Sequence, residues 1–238
     1  MNYRKELPDI LTSIVADIPL AMTITTQQTD SYTGNILLEV CDLKWSEIGR
    51  NVTIDSVEYI IEDIDYDNNI MTVSNADGIP IITTAFDLYA PFFFYGTPIA
   101  MTNDLMAIKD SVSKTPLIYL ILNYNETTYS DPEDIKDRDA DCKLLFLTQA
   151  NYQEWVTAEF FDRSIKPMSR LRQNFIKQLQ DDNRFDMIDK SYGDENQVRF
   201  GIYQQNKGVE KNLLQDQLSG NRMDITLTIY KDLSCFEC

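Results

Sequence analysis

Val52–Ile64 reads VTIDSVEYIIEDI, and this stretch decides how the first half of the chain folds. β-Branched residues alternate with polar ones, the pattern of a half-buried strand pair. Tyr66-Asp67-Asn68-Asn69 follows, and Asn and Asp tolerate the left-handed backbone angles of a tight turn. Ile70–Val73 returns as the next strand, so Val57–Val73 is expected to be a hairpin. Asp77-Gly78 marks another turn ahead of Ile79–Thr84. Upstream, Ala21–Thr26 and Asn35–Val40 complete five or six short strands. Their natural product is a small antiparallel barrel or sandwich.

Downstream, Leu88–Thr97 (LYAPFFFYGT) is the most aromatic stretch. Prolines and a glycine bracket it, which favours a loop or edge segment over a central strand. Phe92, Phe93 and Phe94 cannot all face one side of a strand. They either fill a gap between two domains or lie exposed as a contact patch. Residues 102–113 form a short expected helix, with Thr102 or Asn103 as its N-cap. Leu117–Leu122 (LIYLIL) has the length and composition of a strand covered on both faces, and Lys143–Leu147 is a second buried strand. Between them, the acidic Asn125–Asp141 is expected as a surface loop.

Tyr152–Gln180 carries Trp155, Ala158, Phe161, Ile165, Met168, Leu171, Phe175 and Leu179 at steps of three and four. That stripe predicts an amphipathic helix covering a sheet, kinked or divided near Ile165 by Pro167. Arg163, Lys166 and Arg170 share another face, either solvated or a ridge for an acidic neighbour. Asp181–Asn212 is polar and interrupted by Gly193, Gly201 and Gly208, with Arg199–Tyr203 a candidate short strand. Met223–Tyr230 alternates and predicts the final strand. The expected architecture is α+β, a β-rich domain over 1–100 and an α+β domain over 101–238. The second domain would hold two or three strands packed under one long helix.

The chain has 238 residues, 43% of them apolar, enough to bury a sizeable core. No apolar run reaches the 18 residues of a membrane-spanning helix, and the N-terminus lacks the long apolar block of a secretory signal. Cys41, Cys142, Cys235 and Cys238 are too sparse for a disulfide framework and point to reduced thiols. Cys235-Xaa-Xaa-Cys238 is at most half a zinc site. The formal charge is −17, with 17 acidic and 5 basic side chains in residues 1–110 and 21 and 16 in residues 111–238. Such a surface repels nucleic acid phosphates, which argues against a DNA-binding factor but not against a protein that DNA slides past.

No histidine is present, so Ser-His-Asp and Cys-His triads are impossible. Nucleophile-elbow, phosphate-loop and dinucleotide motifs are missing as well. Asp63, Asp65, Asp67 and Asn69 alternate like calcium ligands, as do Asp137, Asp139 and Asp141. Both clusters lack the glycine at position six and the glutamate at position twelve of an EF-hand loop. No catalytic, cofactor-binding or metal-binding residue is therefore assigned, and the chain is expected not to be an enzyme. A small metal-dependent hydrolase using the acidic clusters is the most distant alternative.

TPLIYLILN (115–123), CKLLFLTQANYQEW (142–155), SIKPMSRL (164–171) and NLLQDQLSGNRMDITLTIYKDLSC (212–235) together resemble tailed-bacteriophage neck and tail-completion proteins. The likeness is closest to ring-forming tail-terminator and head–tail connector proteins, including those of crAss-like phages. It covers roughly residues 102–238, in order and texture rather than through an invariant motif. The β-rich first hundred residues depart from it as an added domain. The resemblance implies a virion protein assembled in the host cytoplasm, in a six-fold or twelve-fold homo-oligomeric ring. Its partners would be portal, neck and tail proteins, with DNA passing through unbound and no membrane involved. The alternative function is a tail or baseplate module that recognises a host-surface glycan or receptor. Its support is the Phe92–Tyr95 segment, since binding sites use rigid aromatic surfaces.

Overall fold

Asp55 and Ser56 both take positive φ, 51° and 66°, and close Val52–Ile64 through the primed turn that matches strand twist. The turn joins β3 (Asn51–Ile54) to β4 (Val57–Asp65). At the far end of β4 the Asp65 carboxylate accepts from the backbone N–H groups of Asp67 (3.0 Å) and Asn68 (3.2 Å). Asn69 adopts φ 55°, and the chain returns as β5 (Ile70–Ser74). With β1 (Ala21–Thr29), β2 (Ile36–Val40) and β6 (Ala85–Asp87), these strands form a six-stranded antiparallel sheet. Its order is β3-β4-β5-β2-β1-β6. The outermost strands, β3 and β6, lie against each other, so the sheet curls nearly shut. Alternate side chains, among them Met22, Leu38, Ile54, Tyr59, Ile61 and Val73, fill the interior, and Trp45 joins them from the loop after β2.

The computed structural model describes residues 6–78, 81, 83–108, 114–122, 124–131, 135–152, 154–187, 192–200, 202–205, 209–212 and 217–231. Part of the expected strand Ile79–Thr84 lies outside them, as do Cys235 and Cys238; its described residues Ile81, Thr83 and Thr84 are not in a strand, and β6 follows at Ala85–Asp87 instead.

The second sheet has seven strands where two or three were expected. Its order is β11 (Phe185–Met187), β15 (Leu218–Tyr230), β10 (Lys136–Gln149), β8 (Leu117–Ile121) and β7 (Phe92–Gly96). β12 (Gly193–Phe200) also pairs with β15, β9 (Asn125–Thr128) pairs with β10, and β13 (Ile202–Gln205) pairs with β14 (Val209–Asn212) as a separate hairpin. The fold is mixed α+β: two curled sheets, few helices and one long one.

The expected loop Asn125–Asp141 is thus the β9–β10 hairpin. Asp137, Asp139 and Asp141 occupy one face of β10, while Arg138, Ala140 and Cys142 are buried on the other. Thr228 and Thr226 hydroxyls of β15 donate to Asp139 and Asp141 at 2.7 and 2.6 Å. Buried Arg138 pairs with Glu126 at 2.8 Å and Asp137 at 2.6 Å. Alternating acids that resembled a cation loop are therefore the polar face of a strand. Asp181–Asn212, where only Arg199–Tyr203 was expected as a strand, contains β11, β12, β13 and β14.

Helix α2 spans Pro98–Ala107, beginning earlier than expected. Thr97 is its N-cap, with Oγ1 accepting from Ala100 N–H at 3.3 Å, and Pro98 suits the first turn because no N–H partner is needed there. α2 lies over one face of the second sheet, where Met101 and Leu105 meet Leu117, Tyr119, Leu145 and Leu147. On the other face Ile118, Leu120, Leu144 and Phe146 belong to the main core. This double cover accounts for the unbroken apolar run of β8.

Helix α1 (Leu7–Ala16) buries Leu7, Ile10, Leu11, Ile14 and Val15 and packs on α4 and β7. The long helical segment comprises α3 (Thr157–Phe160), a π-helical turn (Phe161–Ile165) and α4 (Lys166–Asp181), starting at 157 rather than 152. Ile165, Met168, Leu171, Phe175 and Leu179 are buried as the stripe predicts, whereas Phe161 is exposed. The extra residue in a π turn rotates what precedes it off the stripe. One contiguous core runs from α1 and the first sheet into β8, β10, α4 and β15.

Candidate functional site

Pro167 lies at a contact between the long helical segment and the first sheet. In the π turn Lys166 N–H donates to Phe161 O. The next bond in that register would run from residue 167 to Asp162 O, and proline has no N–H to give. The Tyr66 hydroxyl, from the β4–β5 turn, lies 3.1 Å from Asp162 O and 3.2 Å from Ser46 O. Burial raises the Tyr66 hydroxyl above its ordinary range, and the nearby Glu47 adds to this. Lys166 and Arg170 stand over the Tyr66 ring at 5.2 and 5.3 Å, and Arg170 pairs with Asp42 at 3.1 Å. Arg170 and Lys166 of the basic helix face thus meet Asp42 and Tyr66 from the first half of the same chain, while Lys166 and Arg163 also pair with Asp162 and Glu159 of their own helical segment.

Beside this seam lies a cleft of about 530 Å³. The loop after β2 delivers its floor. Gly49, at φ 85°, donates its N–H to Ile61 O at 2.7 Å, and Arg50 O accepts from Ile61 N–H at 2.9 Å. These bonds pin the loop to β4, so that Glu47 and Arg50 line the cleft. Arg50 donates through Nη2 to Thr115 O and stacks at 4.5 Å on the Tyr89 ring. Tyr89 is fixed in turn, its hydroxyl donating to Trp45 O at 3.1 Å while Trp45 Nε1 donates to Tyr89 O at 3.0 Å.

Glu47 is only 4% exposed. Its Oε2 lies 3.6 Å from Arg50 Nε, and its Oε1 is buried without a hydrogen-bond partner. Burial pushes the carboxyl up to about 7, against the opposing pull of Arg50 and the Thr148 hydroxyl. Across the cleft stand Trp155 and Arg163, whose guanidinium lies over the indole at 5.8 Å. Glu159 holds Arg163 at 3.9 Å, and Phe160 meets Trp155 edge-on at 5.6 Å.

A second candidate surface is the outer edge of the second sheet. β7 ends the strand order and pairs in parallel with β8. Phe93 packs against the main core and Phe94 against the cluster under α2, so the aromatic triplet is split between faces. Phe92 (39%) and Tyr95 (48%) remain exposed, as do Ile99 (67%) and Met106 (54%) of α2. The expected edge placement of the segment holds, with Phe93 and Phe94 packed on opposite faces and Phe92 exposed.

Comparison with family models, with curated proteins and with solved structures found no match to this chain. Chemistry must be judged from the side chains alone. Among the described residues, no three His, Cys, Asp or Glu side chains gather to hold a metal ion. Asp65 is engaged by its own turn, through Asn68 Nδ2 at 2.7 Å. Cys142 is buried, and its thiol is pushed up to about 12, which makes it a poor nucleophile; Cys41 is exposed. No helix among the described residues is long and apolar enough to cross a membrane.

Glu47, Arg50, Thr115 and Thr148 were not singled out by the sequence. They are separated by up to a hundred positions and carry no spacing signal. In sequence Trp155 is one member of an apolar stripe.

Proposed function

We propose that this chain is a structural subunit of a phage neck or tail, building a homo-oligomeric ring between portal and tail. In this reading the first sheet is a small barrel appended to a terminator-like layer of sheet and helix. The observation that carries the proposal is the end strand β7, whose Phe92 and Tyr95 are exposed on opposite faces, together with the exposed Ile99 and Met106 of the following helix α2. An uncovered sheet edge offers backbone pairing groups, and apolar side chains along it add contact area that water disfavours. A second set of exposed apolar side chains, Val156 and Phe161, lies on separate elements. Two unlike patches on one chain suit head-to-tail contact, and a head-to-tail contact with the right rotation closes into a ring of six or twelve copies.

The −17 charge supports the same reading from the other side. DNA would traverse an acidic lumen with few attractive stops. Like-charged copies repel, so salt should favour their association through the apolar edge. Negative-stain electron microscopy and light scattering at low and high salt test this. Rings of countable symmetry are expected, and Tyr95→Lys combined with Ile99→Lys should yield monomers of unchanged circular dichroism. A wild-type chain that stays monomeric at high concentration, in high salt and with portal-side neighbours present would refute it.

A further inference from the structure

The β7 edge calls for a strand, and Val156 and Phe161 belong to none. They offer a neighbouring copy side chains but no row of backbone groups. Among the described residues the first sheet has such a row. β6 covers β1 only over Ala21–Thr23, with Ile24 N–H donating to Thr84 O at 2.8 Å just beyond. From there β1 pairs with β2 alone, and Thr25 to Thr29 are all exposed.

Hydrogen-bond alternation fixes which groups each edge presents. Phe92 N–H donates to Pro116 O at 2.9 Å and Gly96 O accepts from Leu122 N–H at 3.1 Å. Both bonds point toward β8, so the N–H and C=O of Phe93 and Tyr95 face outward. In the β1–β2 hairpin Asp30 N–H donates to Asn35 O at 2.8 Å. Gln28 shares that side, and the N–H and C=O of Gln27 and Thr29 face the open edge. The two edges therefore match in spacing. Laid antiparallel, Phe93 meets Thr29 and Tyr95 meets Gln27, each pair exchanging both of its N–H···O bonds, with Phe94 opposite Gln28.

Charge singles out the same two edges. The chain carries −17, yet no charged residue falls in Ile18–Thr29 or in Leu88–Asn103. The other outer strands of the second sheet all carry charge: Glu126 in β9, Asp186 in β11, and Asp194, Glu195 and Arg199 in β12. Charged side chains guard an edge against pairing with another chain, and like charges opposed across a strand pair destabilise it. Asp30 and Glu39 border the β1 edge and are engaged. Asp30 accepts from Tyr32 N–H and the Thr33 hydroxyl, both at 2.9 Å, and Glu39 from the Thr26 hydroxyl at 2.7 Å.

We infer that the exposed edge of β1, Thr25–Thr29, is the docking surface for β7 of the next copy of this chain, so that the first sheet of one subunit and the second sheet of its neighbour join edge to edge. The inference rests on the ring reading and supplies the unlike partner that a head-to-tail contact requires.

Disulfide trapping on the full chain tests it. Gln27→Cys and Tyr95→Cys are placed separately and together in a background carrying Cys41→Ser, Cys235→Ser and Cys238→Ser. Residues paired in this way have Cα atoms about 5.5 Å apart, within the reach of a disulfide. Under copper–phenanthroline oxidation in high salt, a mixture of the two single variants should give a covalent dimer. The chain carrying both should give a ladder that ends at the ring size seen by electron microscopy. Ile60→Cys, exposed on β4 of the same sheet, is the control for chance collisions and should not link to Tyr95→Cys. Thr29→Pro removes an outward N–H while sparing the bonds to β2, as edge strands allow. The concentration for half-association should rise about tenfold or more, with the melting temperature unchanged. Rings that form with no more 27–95 linkage than the Ile60 control gives, or that ignore Thr29→Pro, overturn this pairing and leave the ring standing. A chain that never associates overturns both.

Discussion

Tyr66→Phe probes the seam between the two sheets with the removal of one oxygen. The ring stays, so its contacts with Lys166 and Arg170 at 5.2 and 5.3 Å are retained. What disappears is the hydroxyl that serves Asp162 O, left without a helical partner by Pro167, and that also lies near Ser46 O. A single hydroxyl proton fully bonds only one acceptor at a time, so the loss is one hydrogen bond rather than two. Leaving a buried acceptor unsatisfied costs about 1–3 kcal/mol, and about 2 kcal/mol is expected here because the site is partly buried. With a urea dependence of about 2 kcal/mol per molar, the denaturation midpoint should fall by about 1 M. Trp45 reports on the first sheet and Trp155 on the cleft wall. Tryptophan fluorescence and far-UV circular dichroism should therefore shift together if the shared core unfolds as one unit. The decisive control is Pro167→Ala, which returns an N–H to the helix. In that background Tyr66→Phe should cost about 1 kcal/mol less, a coupling within the range seen for residues sharing a partner. Equal costs in both backgrounds, or a midpoint unchanged by Tyr66→Phe, would refute the account of the π turn.

Two further outcomes follow from the geometry. Gly220 lies in β15 opposite Leu147, and a Cβ there would fall 1.9 Å from Phe146 O. Gly220→Ala must push backbone against backbone, costing about 3 kcal/mol or more; calorimetry showing a loss below about 1 kcal/mol would contradict the described strand spacing. Glu47 ionises at about 7 in the folded chain against 4.5 as a free side chain. The folded state therefore holds an extra proton between those values. Stability from this group is complete below about pH 4.5 and is lost as pH rises through 7, by about 3 kcal/mol in all. Glu47→Gln should flatten that part of the pH–stability curve, and parallel curves for the two proteins between pH 4.5 and 8 would disprove the burial of an ionisable carboxyl.

Local signals sufficed for five strands of the first sheet, though not for β6 at Ala85–Asp87. Alternation in Val52–Ile64, the Asx chemistry of residues 65–69 and the short runs at 21 and 35 each act over a few residues, so they are readable without knowing what they pack against. The position of the helix break was legible too, because proline's missing N–H is a property of Pro167 alone. Even α1, absent from the sequence expectations above, carries a signal in Leu7, Ile10, Leu11 and Ile14, with Pro8 in the first turn.

Tertiary structure decided what depends on distant partners. Residues 125–141 look like a solvated loop because acids fill one face of β10, and only pairing with β9 and β15 turns their alternation into a strand. Arg170 and Lys166 found Asp42 and Tyr66, more than ninety residues away. The cleft depends on contact between the loop at 47–50 and the segments around 115, 148 and 155. A carboxyl's environment is set by what surrounds it in space, so nothing in the local sequence around Glu47 distinguishes it from the many solvated acids of this chain. Sequence order specified the strands and the break in the helix, while packing selected which polar groups would be buried without partners.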